Sequence, residues 1–123
     1  MSVILENYAP TEANEPFELD VRIATTVQIP ALQARRLVNR YFMNYVGNLL
    51  HGMLPETLVV ENEHIYWQVP IVLSGGREGS YGTVGTVRVD VKSGELIITD
   101  QLIAEIKQNA QRIVASASSQ PVL

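Results

Sequence analysis

Between Phe17 and Ile29 the chain alternates. Phe17, Leu19, Val21, Ile23, Val27 and Ile29 are apolar at odd positions, interrupted only by Thr25, while Glu18, Asp20, Arg22, Thr26 and Gln28 are polar at even ones. A two-residue period puts alternate side chains on opposite faces of an extended backbone, so this stretch predicts a half-buried strand and commits the fold to a sheet. The run from 17 to 29 would reach roughly 43 Å at about 3.3 Å per residue, far beyond a common strand of about five or six residues. The strand is expected to bend or to extend onto a neighbour.

The period changes after Pro30, whose missing N–H and fixed φ suit the first turn of a helix. Ala34, Leu37, Val38, Tyr41, Phe42, Tyr45, Val46 and Leu49 then keep the three-and-four spacing of one apolar face, with Arg35, Arg36, Asn39, Arg40, Asn44 and Asn48 opposite. The helix is expected to end near Gly52, before Pro55. Gly47 inside it marks either a close backbone approach or an earlier end.

Four extended segments follow: Thr57–Glu61, Ile65–Ser74, Thr83–Val91 and Glu95–Ile98. Their short polar connections predict an antiparallel meander. Ile65, Trp67, Val69, Ile71 and Leu73 share one face, as do Val87, Val89 and Val91, with Arg88 and Asp90 pointing the other way. Lys92 to Glu95 form a tight turn in which Gly94 supplies a positive φ. Thr99 or Asp100 caps a last amphipathic helix carrying Leu102, Ile103, Ile106, Ala110, Ile113, Val114 and Ala117.

One core is the default for 123 residues, and 46% hydrophobic content is enough to fill it. Residues 17–115 are read as a single domain, 1–16 as an N-terminal arm with Pro10, Pro16 and three glutamates, and 116–123 as a C-terminal tail. Only 18% of residues are charged, so some apolar surface is expected to meet another chain, and a homodimer is the first expectation. A net charge of −4 removes the electrostatic footprint of a nucleic-acid binder. With no cysteine, disulfides, thiol catalysis and cysteine-ligated metals are excluded. No membrane span and no signal peptide at Met1–Pro10 are recognised, and a cytoplasmic location is expected.

Chemistry-bearing signals are few. Glycine recurs at 76, 79, 82 and 85, but collagen packing needs that period sustained, and phosphate cradles need a strand-to-helix loop ending in Lys and Ser or Thr. The segment is read as a hairpin loop with a bulge near Gly82–Gly85. In the functional alternative it clamps a ligand or partner, and Arg77 contacts an anion. His51 and His64 lack the helical spacing of a metal pair, and Glu61 and Glu63 beside His64 fit a polar turn, so no metal and no cofactor is expected. Arg35, Arg36 and Arg40 form a basic patch that is either a solvated face or a seat for an acidic partner, such as the Glu-rich arm of a second subunit. Tyr41, Tyr45 and Trp67, with Phe42, are either core or the lining of a pocket between helix and sheet. No nucleophile motif or ordered base points to catalysis.

From Arg36 to Val114 the order of a helix, then Tyr66-Trp67-Gln68-Val69 on a strand, then Val87-Arg88-Val89-Asp90-Val91-Lys92-Ser93-Gly94-Glu95-Leu96, resembles a PepSY-like domain. The hallmark of that family is a strand ending in Val-Asp and a small Ser/Thr-Gly turn. The resemblance spans about two thirds of the chain and implies a non-catalytic domain of a class often discussed as modulating peptidases. It supplies no catalytic residue at these positions.

The expected fold is α+β: an N-terminal strand, a helix, an antiparallel three- to four-stranded meander and a C-terminal helix, with both helices on one sheet face. The expected function is a non-catalytic protein-interaction or regulatory module that forms a homo-oligomer. The alternative is a small-molecule-binding domain, enzymatic or not, built on the aromatic pocket.

Overall fold

A computed structural model describes residues 1–6, 16, 18, 20, 22–75 and 79–119, with side chains as far as 116. The elements in order are β1 (Ser2–Glu6), α1 (Ala31–Tyr45), β2 (Leu50–Gly52), β3 (Thr57–Glu61), β4 (His64–Ser74), β5 (Ser80–Asp90), β6 (Leu96–Ile97) and α2 (Asp100–Ser119). The fold is α+β, with the sheet ordered β1-β3-β4-β5-β6. β3 to β6 form the antiparallel meander, and β1 adds to β3 in parallel, which makes the sheet mixed. β2 pairs with the far end of β4, Leu50 opposite Leu73, in line with β3.

Alternation in β4 and β5 builds the core. Trp67, Val69, Ile71 and Leu73 of β4 and Val87 and Val89 of β5 are buried on one face, together with Ala34, Val38 and Phe42 of α1 and Ile106 of α2. Both helices therefore cover the same face. Between Ile71 and Val72 the pairing slips, so that Gly85 and Thr83 are successive partners and Val84 is the extra residue of a bulge. Asn109 of α2 donates to the Val84 carbonyl at 2.9 Å, which fastens the helix to that irregularity. A Cβ at Gly85 would lie 2.6 Å from Cγ1 of Ile106, so glycine there lets α2 approach the sheet. Pro70, inside a central strand, falls where β2 ends and β3 has not begun; its carbonyl takes the Met53 N–H, and its lack of an N–H removes one bond at the break.

Two expectations are corrected. The strand expected from Phe17 to Ile29 is absent from the described part of that stretch: Phe17, Leu19 and Val21 lie outside the described residues, and 22–29 form neither strand nor helix. The reason is where the stretch is anchored. β6 occupies the outer side of β5 at Arg88 and Val89, next to the Val91 carbonyl, so residues 22–29 find no ladder there, and Ile23 and Val27 stay exposed. They are held at their end, where Gln28 and Ile29 both donate to the Val91 carbonyl. The N-terminal strand is instead Ser2–Glu6, in the stretch read as an arm.

The second correction is the length of the first helix, which ends at Tyr45, not near Gly52. Val46 and Gly47 both donate to the Phe42 carbonyl, closing the helix. A Cβ at Gly47 would meet nothing within 4 Å, so the glycine marks the early end and no close packing. α2 starts as expected, with Thr99 accepting the Leu102 N–H at 3.1 Å, and runs on through 116 to Ser119. Among the described residues no helix is long and apolar enough to cross a membrane.

Candidate functional site

The helix-free face of the sheet carries charged and polar side chains beside apolar Ile4 and Val59. Strand pairing aligns Ile4, Val59, Tyr66 and Asp90 across β1, β3, β4 and β5, with Glu6, Glu61 and His64 in the next row on that face. Arg88 of β5 reaches across β4, donating from Nη1 to Glu61 at 2.7 Å and from Nη2 to Glu6. One guanidinium thus ties three strands together, with side chains about a quarter to a third exposed. Such partly solvated pairs contribute modestly, on the order of 1 kcal/mol each, but this one fixes the end of β1 to the middle of the sheet.

Asp90 closes the β5–β6 turn. Its Oδ1 accepts the N–H of Lys92 at 2.8 Å and of Ser93 at 3.0 Å, while Gly94, at φ 77°, donates to the Asp90 carbonyl. Burial alone pushes the Asp90 carboxyl upward. The Ser93 and Lys92 amides, helped by nearby His64, outweigh burial and hold the group below the usual carboxylate range. Tyr66 is pushed above the ordinary phenol range, first by burial and then by the charges of Asp90 and Glu61. His64 Nδ1 lies 3.9 Å from Asp90 Oδ2, and the His64 ring stacks on Tyr66 at 6.1 Å. A half-open cleft of about 290 Å³ adjoins them, lined by apolar Ile65 and Val91 as well as by Thr25, Glu63, His64, Asp90, Lys92 and Ser93. Among the described residues no three His, Asp or Glu side chains converge on a metal position. Asp90 is engaged by backbone amides, so its charge serves the turn.

The residues singled out from sequence are not gathered in one place. Arg35, Arg36 and Arg40 stand exposed on the outer side of α1, with no carboxylate partner among the described residues. Tyr41 is half-buried, and its ring lies 5.1 Å from that of Tyr45, which is 73% exposed. Trp67 belongs to the core, where Nε1 donates to the Ile29 carbonyl at 2.8 Å. Arg77 lies outside the described residues. What sequence reading missed is the Arg88–Glu6–Glu61 group. Its one sequence signal is Arg88 on the polar side of an alternating strand.

The sheet edges differ sharply. At β2 the amide of Asn39 imitates a neighbouring strand: Oδ1 accepts the Gly52 N–H at 2.7 Å and Nδ2 donates to its carbonyl at 3.4 Å. That blocks the edge. β6 offers two residues. β1 offers five, with Val3 49% and Ile4 40% exposed. The Ser2 N–H donates inward to the Glu56 carbonyl. A parallel ladder alternates, so Ile4 and Glu6 also face β3, while the N–H and C=O of Val3 and Leu5 face outward, without partners among the described residues. Comparison with protein families, with characterised proteins and with solved structures gives no match.

Proposed function

We propose that the chain is a non-catalytic protein-interaction module that associates, with itself in the first instance, through the open edge of β1. The observation that carries this reading is the contrast among edges: β2 is plugged by Asn39, whereas β1 presents backbone groups without a partner among the described residues, beside exposed Val3 and Ile4. An open apolar edge is the usual substrate of strand addition. The order of α1, β4, β5, the Asp90 turn and β6 supports the PepSY-like reading as part of the same proposal. A small-molecule role is the second reading, favoured by the mixed polar and apolar cleft beside His64 and not by the aromatic residues, since Trp67 fills the core.

The test is Val3→Pro. Proline there deletes one outward N–H and leaves the β1–β3 ladder intact, and it restrains Ser2 to the extended conformation it already has. Light scattering should show a dimer for the unaltered chain and a monomer for the variant. A monomer at every concentration of the unaltered chain would overturn the reading.

A further inference from the structure

We infer that two copies pair β1 against β1 antiparallel, with Ile4 on the twofold axis. The inference rests on the association reading above and adds partner, register and symmetry. Its starting point is which backbone atoms have no partner among the described residues. Val3 and Leu5 direct N–H and C=O outward and Ile4 directs its own inward, so an antiparallel copy can exchange both bonds between Val3 of one chain and Leu5 of the other. The symmetric pair repeats this on the other side of the axis. Ile4 then meets its symmetry mate as a non-hydrogen-bonded pair, where strands bring opposite Cα atoms to about 4.5 Å.

This register is the one that gives every residue of Ser2–Glu6 a partner within the same strand. It also gives the Glu6 carboxylate a polar neighbour. Glu6 falls opposite neutral Ser2 of the other copy, whereas a shift centred on Leu5 would set Glu6 against Ile4. Opposite Ser2, the Glu6 carboxylate keeps its bond to Arg88. The axis is normal to the sheet, so the helices of both copies lie on the same side and the Arg88 faces on the other. Met53 and Leu54, exposed at 45% and 48%, precede Glu56 at the start of β1 and extend the apolar edge on each copy.

A chain without cysteine makes the test direct. Ile4→Cys, Val3→Cys and Leu5→Cys are oxidised separately under mild conditions at a concentration where the unaltered chain is dimeric by light scattering. Non-hydrogen-bonded neighbours lie within disulfide reach. Ile4→Cys should cross-link to a covalent dimer at least tenfold faster than either other variant, and an equimolar mixture of Val3→Cys and Leu5→Cys should cross-link as the heterodimer. Fastest cross-linking of Val3→Cys or Leu5→Cys alone, or equal rates for all three, would overturn the register while leaving association standing. A dimer that resists cross-linking at every β1 position and is unaffected by Val3→Pro would overturn both.

Discussion

At the residue scale, single polar side chains substitute for backbone that the fold lacks. Asn39 supplies the donor and acceptor of a missing strand to Gly52, Asp90 gathers the amides of a tight turn, and Arg88 spans a strand to reach two carboxylates. Asp90→Ala should lose about 1–3 kcal/mol, the cost of leaving turn amides without a charged acceptor. The sign of its pH dependence follows from linkage. Because folding depresses the Asp90 pKa, its contribution is complete at neutral pH and disappears as pH falls through the carboxylate range and below. Urea unfolding at about pH 7 and about pH 3 should therefore show the deficit of Asp90→Ala shrinking in acid; a constant deficit would mean that the side chain acts by shape and not by charge. None of these roles was visible in residue spacing. Arg88 and Glu6 are 82 positions apart, and only strand register brings them into reach.

At the element scale, periodicity marked the elements that pack on both flanks. β4 and β5 follow their alternation into the core, and α1 buries the Ala34–Val38–Phe42 face that its spacing marked. The bulge expected near Gly82–Gly85 is present, and the structure adds its purpose. Gly85 lies opposite Ile71 and under Ile106, so a methyl group there must displace α2 or force Ile106 off its rotamer. Gly85→Ala should cost about 1–3 kcal/mol. Combining it with Ile106→Ala should cost clearly less than the sum of the two single changes, as expected for residues sharing one space. Thermal unfolding of the four proteins measures this, and strict additivity would separate the glycine from the helix. The first helix shows the limit of the same method: Leu49 continued the apolar spacing on paper, yet it lies past Tyr45 and is 57% exposed.

At the scale of the whole molecule, the sheet has a finite number of edges, and their allocation decides both architecture and association. The outer face of α1 is a competing surface, with three arginines beside exposed Leu32 and Met43. If association runs through β1, Arg36→Glu combined with Arg40→Glu should leave the molecular mass unchanged and shift stability by no more than about 0.5 kcal/mol, as for most surface changes. Loss of the dimer in that variant would move the interface to α1. By itself the sequence determined the type of most elements, the inward residues of β4 and β5, the Thr99 cap and the Gly94 turn, because these depend on local period and on backbone conformations that single residues impose. Only the tertiary structure decided which extended stretch became the N-terminal strand. Residues 22–29 belong to the cleaner alternation, but a strand forms only where an edge accepts its hydrogen bonds, and it is Ser2–Glu6 that lies along β3.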